Sequence, residues 1–319
     1  MEPSVAALRV ERARKTLDDY VAATRYPPTS RPISEYPDLL QPLHPVDHAQ
    51  PIKPGGVARL RVRHDRTFLV GDDAARISIQ GEDEAGNPLP CRLLEANATE
   101  APFSPQAGRR GPAALSFTVD GTGALSTIFT PARQGFSEHL GPIRIALRAR
   151  VADEDGATSF DLYYTPTPPA RFTGMVREVL ANGSLELFAG IDVRKPGRYL
   201  VDGRVADAAG QLFAFVSFNE ELPAGRGEVK LVLFGKLVRD RKAASPFVLR
   251  DVEGHLLKED VDPDREILAP LLGAVHTSRA YPESAFSTAE WQSEERSRHV
   301  EEFTRNLKEL TETAGATGK

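Results

Sequence analysis

From Val57 onward apolar and polar positions alternate, the two-residue period of strands buried on one face. Leu60, Val62 and His64 share one side of the first such run, and Ile77 and Ile79 resume it after Gly71-Asp72-Asp73. Glu84-Ala85-Gly86-Asn87 predicts a turn into the segment carrying Leu89, Leu93 and Leu94. Residues 97–112 are polar with Pro and Gly, and predict a long loop. Leu115, Phe117 and Val119 alternate again. A hairpin is predicted between 143–152 and 157–164, turning at Asp153-Glu154-Asp155-Gly156. About eight strands with turns between them have the rhythm of a sandwich.

Thr165-Pro166-Thr167-Pro168-Pro169 favours a stiff extended segment and predicts a domain boundary. A second alternating region follows. Val176, Val179 and Leu180 lead to Asn182-Gly183, whose tolerance of positive φ suits a two-residue hairpin turn. Leu185, Leu187 and Ala189 return from it. Arg194-Lys195-Pro196-Gly197 and Asp207-Ala208-Ala209-Gly210 are further turn signals, with strands through Tyr199–Val205, Leu212–Phe218, Val229–Phe234 and Phe247–Val252.

The period changes to three and four at both ends. Val10, Ala13, Leu17, Tyr20 and Thr24 predict a helix over residues 4–24, opened by Pro3 and closed at Tyr26-Pro27-Pro28. The proline-dense stretch to Pro54 excludes helix or central strand and predicts an extended strap over the first module. Val300, Phe303, Leu307 and Leu310 predict a C-terminal helix, with Ser287-Thr288-Ala289-Glu290 as its capping box. Both stripes are narrow, so these helices need something to lean on. The expected fold is mainly β: two tandem immunoglobulin-like β-sandwich domains (55–165 and 166–258). An N-terminal helix and strap (1–54) precede them, and an acidic loop and C-terminal helix (259–319) follow.

Phe188-Ala189-Gly190-Ile191-Asp192-Val193, Gly197-Arg198-Tyr199 and Asp207-Ala208-Ala209-Gly210 come in an order that matters. They continue into Glu221-Leu222-Pro223-Ala224-Gly225, Leu231-Val232-Leu233-Phe234-Gly235-Lys236 and Pro246-Phe247-Val248-Leu249. Over residues 170–260 this order resembles the Ig-like choice-of-anchor X modules of bacterial envelope proteins. Relatives often carry Asp-Gly before the Pro-aromatic step, where this chain has Ala244-Ser245. The resemblance implies an extracytoplasmic binding or structural module, normally membrane-tethered, and supplies no active site.

Composition narrows the chemistry. A net charge of −5, from 45 acidic and 40 basic residues well mixed, gives no field that would gather nucleic acid. Arg59, Arg61 and Arg63 alternate on one strand face, as expected of a solvated β surface. The single cysteine, Cys91, excludes an internal disulfide and a thiolate cage. No apolar run approaches the roughly 18 residues of a membrane span. The first residues carry no apolar signal-peptide core, which makes cytoplasm the alternative to an extracytoplasmic (periplasm or cell envelope) location. Membrane association is expected only through an anchor outside this chain.

The strongest candidate site is the alternating acidic string Asp260, Asp262, Asp264 and Glu266, whose carboxylates could converge on calcium. Against calcium stand Arg265 and Leu271, where an EF-hand loop wants Gly and a bidentate acid; an Asp capping a helix from Arg265 is the competing expectation. His44 and His48 have i,i+4 spacing, but Pro45 disfavours the helix that would align them. No G-x-S-x-G, phosphate loop or H-E-x-x-H occurs. Trp291 with Phe286 is expected to anchor the last helix. No catalytic residue and no cofactor is therefore assigned. The expected function is a non-enzymatic binding, scaffold or structural module of the bacterial envelope, acting on an unidentified protein partner. The alternative is a hydrolase or carbohydrate-active protein whose carboxylates meet only in space.

Overall fold

The computed structural model describes residues 5–35, 37–101 and 111–317. The chain is mainly β and sandwich-like: four sheets contribute to two hydrophobic cores, with three α-helices among the described residues.

The first core lies between two sheets. One runs Val46–Pro51, Arg59–His64, Ala75–Glu82, Leu125–Phe129 and Thr118–Val119; the other runs Phe68–Val70, Glu154–Thr165, Gly141–Val151, Cys91–Glu100 and Ala113–Ala114. The alternation read from the sequence fills the space between them. Leu60, Val62, Ile77 and Ile79 meet Ile143, Ile145, Leu147 and Leu162, all essentially without solvent exposure. The tight turn of the 141–165 hairpin is Ala152-Asp153, since Val151 pairs with Glu154, and not the predicted Asp153–Gly156. Of the predicted 97–112 loop, residues 97–100 belong to strand Cys91–Glu100, and 102–110 lie outside the described residues.

The second core lies between a three-stranded sheet (Ala170–Ala181, Ser184–Val193, Gly225–Leu233) and a six-stranded one. The six-stranded sheet runs Ser30–Pro32, Leu212–Leu222, Gly197–Ala206, Val248–Leu257 and Arg265–Ile267, with Leu271–Thr277 also on Val248–Leu257. Asn182 and Gly183 take φ of 50° and 70° between paired Ala181 and Ser184, as the turn chemistry requires. A short helix, α2 (Gly235–Arg241), follows the strand that ends at Leu233. A Cβ at Gly235 would lie 1.8 Å from the Gly183 carbonyl, so only glycine lets the helix start against that turn.

Three expectations are corrected. The strap covers the second module before it reaches the first: Ser30–Pro32 pairs with Leu212–Leu222, Phe234 N–H donates to the buried Ser30 Oγ at 3.0 Å, and Thr67 N–H donates to the Leu43 carbonyl at 2.9 Å. It then enters the first module as strand Val46–Pro51. No helix starts near Arg265: strands Arg265–Ile267 and Leu271–Thr277 extend the second module past residue 258. The C-terminal helix, α3 (Glu294–Thr317), is capped by Ser293, whose Oγ accepts from Arg296 N–H at 3.1 Å. Ser287 Oγ accepts instead from Ala289 N–H in a turn.

The helix α1 (Val5–Ala23) leans on α3. Tyr20 meets Phe303 and His299 edge-on at 5.3 and 5.6 Å between ring centres, and Arg296 Nε donates to Thr24 Oγ1 at 3.1 Å. The start of α3 thus adjoins the end of α1, an antiparallel pair. No residue of α1 is fully buried. Phe286 anchors the approach to α3, edge-on to Phe247 at 5.6 Å, while Trp291 N–H donates to the Arg25 carbonyl at 3.0 Å.

Candidate functional site

Alternation along strand Gly197–Ala206 sends Val201 and Val205 into the second core and Asp202 and Arg204 to the opposite face. An outer face of a sandwich is ordinarily wet. Here the strap lies on it, and Arg204 has no exposure at all. Burying a guanidinium demands partners for its donors. Nε donates to the Leu39 carbonyl, Nη1 to the Asp251 carbonyl at 3.0 Å, and Nη2 to Glu253 Oε1 at 2.8 Å. The strap is therefore tied down through its own backbone.

Asp202 and Glu253 stand directly opposite each other on neighbouring strands, and His255 follows two residues along on the same face. Gly254 between them sits where a Cβ would come within 2.6 Å of the Leu200 carbonyl. Next to these side chains is a partly enclosed cavity of about 260 Å³. Its second wall belongs to the first module (Phe68, Val70), with Ile267, Leu268 and Pro270 completing the apolar side and Leu43 and His44 of the strap at one margin. Leu43 and His44 take φ of 65° and 48°, a left-handed pair without glycine that turns the strap into the cavity. His44 Nε2 lies 3.8 Å from Glu253 Oε1, and its ring meets Phe68 edge-on at 5.3 Å.

The two modules are joined beside this cavity. Ile267 N–H donates to Thr165 Oγ1 and the Tyr163 hydroxyl to the Arg265 carbonyl, each at 2.9 Å. The electrostatics are unusual for a surface. Burial first, and then the charge of Glu253, pushes the Asp202 carboxyl up to about 6 against the opposing pull of Arg204 and Arg31. Burial, aided by Arg265, lowers His255 to about 4, so its imidazole is neutral near pH 7. Neither side chain forms a hydrogen bond or ion pair among the described residues, although both line the cavity.

The candidates read from the sequence lie elsewhere or apart. The acidic string does not converge: Asp264 forks onto Arg265 at 2.8 and 2.7 Å, and Glu266 takes Lys195 at 2.6 Å and Lys258 at 3.5 Å. No group of three His, Cys, Asp or Glu that could hold a metal ion occurs among the described residues. His44 and His48 are likewise not brought together, His48 being exposed on strand Val46–Pro51. In the Asp153–Gly156 segment, Asp155 pairs with Arg150 and Glu154 with Lys53. Asp47 bridges Arg61 and Arg63 at 2.6 and 3.1 Å, and Glu82 lies 3.5 Å from Arg61, which offsets part of the basic ridge. Cys91 is half-buried, and burial pushes its thiol up, away from nucleophilic use. Among the described residues, no helix is long and apolar enough to cross a membrane.

Comparison with known proteins adds little. No protein-family model matches the chain, and no curated protein matches it. Among solved structures, a DUF4785-family protein of Legionella pneumophila is similar at a TM-score of 0.43 and 11% identity, over 72% of this chain and 58% of that one. A DUF3823-family protein of Parabacteroides merdae is similar at 0.25 and 13%, over 64% and 94%. The Salmonella α-2-macroglobulin is similar at 0.32 and 12%, over 70% and 15%. These are weak likenesses to bacterial proteins, no choice-of-anchor module is shown, and nothing about function rests on them.

Proposed function

We propose that this chain is a non-enzymatic binding or scaffold protein of the bacterial envelope, built from two immunoglobulin-like sandwiches of the choice-of-anchor type, which recognises a protein partner at the strapped cavity between its modules. One observation carries the reading: the half-buried Asp202 and His255, which form no hydrogen bond among the described residues, line a cavity whose walls come from both modules and the strap. A concave junction with convergent polar groups of shifted acidity marks a binding site more readily than a packing element. A photo-crosslinking side chain at Pro270, a partly exposed residue of the lining, tests it in the source organism. The expected result is one discrete protein adduct in the envelope fraction that is missing from the same probe at exposed Val119. Equal labelling at both positions would remove the reading, and recovery wholly in the cytosol would remove its envelope part.

A second reading has one observation in its favour. Asp202, raised to about 6, stands across from Glu253, and neighbouring carboxylates of unequal acidity suit glycoside hydrolysis. It ranks lower because Glu253 is committed to Arg204, and about 260 Å³ is below the usual range of small-molecule pockets, about 300–1,000 Å³. Turnover of a glycoside panel that vanishes in Asp202→Asn would reverse the ranking.

A further inference from the structure

The cavity is divided by chemistry, and the division limits what fits. One side offers Phe68, Val70 and Leu268; the other offers Asp202, Glu253 and His255 on one face of two adjacent strands. We propose that it receives a primary ammonium group carried on a short apolar stem, with the Asp202 carboxylate as its counter-ion and Glu253 and His255 as flanking polar groups on the same face. This deepens the recognition site proposed above and rests on it.

The match is one of donors to acceptors. An ammonium has three N–H donors and no acceptor. Asp202 is free of hydrogen bonds among the described residues. Glu253 keeps lone pairs beyond those that take Arg204 Nη2 at 2.8 Å and the Leu43 N–H at 3.5 Å. The neutral imidazole of His255 has one ring nitrogen able to accept. These three side chains lie side by side because the pairing of Asp202 with Glu253 puts His255 diagonally across from Asp202.

Competing ligands fit worse. A divalent cation such as calcium wants six or more oxygens, and the described residues hold no suitable cluster. An anion would face two carboxylates. A wholly apolar ligand would leave the Asp202 carboxylate unpaired in a partly enclosed site, whereas an ammonium neutralises it. The apolar wall supplies contact for a stem of a few methylenes. A lysine side chain of a partner and a free alkylamine share this chemistry.

The test is calorimetric titration of the full chain at pH 8 with n-pentylamine, with the peptide acetyl-Gly-Lys-Gly-amide, and with 1-pentanol as the uncharged control. Asp202→Asn is titrated alongside, after its melting curve shows that it folds. Saturable binding of pentylamine or peptide, absent for pentanol and weakened about tenfold or more in Asp202→Asn, is the expected result. Binding of the peptide alone assigns the ammonium to a partner's lysine; equal binding of pentylamine assigns it to a free amine. Pentanol binding as tightly as pentylamine, an indifferent Asp202→Asn, or no binding of either amine overturns the proposal. If the amines fail while the Pro270 crosslink forms, the recognition site stands and only its ligand chemistry falls. If an amine binds and no crosslink forms, the protein partner falls instead.

Discussion

Arg204 Nη2 lies 2.8 Å from Glu253 Oε1 with the whole arginine side chain buried, and the same guanidinium holds two carbonyls of the strap. Removing the cation leaves a carboxylate uncompensated and strap carbonyls without a donor. Arg204→Met is expected to cost about 3–5 kcal/mol in chemical denaturation, with the double variant Arg204→Met, Glu253→Leu recovering much of it. A single variant within about 1 kcal/mol of the parent would show that the pair is not what fixes the strap.

Asp202 predicts a pH-dependent gain. Its folded value of about 6 lies above the ordinary 3.8, so the folded state holds its proton more firmly. Below about 3.8 both states are protonated and nothing is lost. Above about 6 the folded state carries the whole burden of an ionised carboxyl facing Glu253, only partly offset by Arg204 and Arg31. Asp202→Asn should therefore raise the apparent melting temperature at pH 8, with the gain shrinking towards pH 4. A gain that is equal at both pH values would count against ionisation as its source.

Glu178 predicts the opposite dependence. Burial alone would raise its carboxyl. The Arg279 backbone N–H, His276 Nε2, the Tyr281 hydroxyl and Arg279 Nε all donate to it at 2.9–3.1 Å, and together hold it down to about 2. The stabilisation is complete above the ordinary value of 4.5 and is lost as pH falls from there through about 2. Glu178→Gln should be less stable than the parent by about 1.5–3 kcal/mol at pH 7 and converge with it near pH 2. Parallel stability curves over that range would refute the assignment.

The helical pair should come apart without the sandwiches. Tyr20 and Phe303 make its central aromatic contact, and α1 buries no residue fully. Tyr20→Ala with Phe303→Ala is expected to lower the helical far-UV signal while the main melting transition stays within a few degrees. Loss of that transition would mean that the pair supports the modules.

The period-two runs made most of the sheets legible, because a buried face imposes its alternation wherever the core is one-sided. Leu60–Val62 and Leu185–Ala189 are read off in this way. Strands Arg265–Ile267 and Leu271–Thr277 were not, since short strands after Pro263 carry too little pattern to outweigh an acidic run that looks like a helix start. The capping box failed for a related reason: Ser287 and Glu290 have the right spacing, but Ser287 N–H is drawn to the Gly183 carbonyl and helix begins only after Ser293. Of the cavity's polar lining, the sequence points to His44 and Arg265, each for a different role. Asp202, Arg204, Glu253 and His255 resemble the polar half of any half-wet strand. What changes their meaning is the strap laid over them, a contact across more than 160 residues that no local pattern encodes.

The path of the strap also has a bearing on synthesis. Ser30–Pro32 joins, and residues 37–43 cover, a sheet whose other strands begin at Gly197, and α1 leans on α3. While the ribosome has released only the first sandwich, Val46–Pro51 can already take its place beside Arg59–His64, but everything before it has nowhere to dock. The nascent N-terminal arm has no docking surface until the second sandwich has been synthesised. Any ligand entering between the modules therefore meets a wall that can be completed only after both sandwiches.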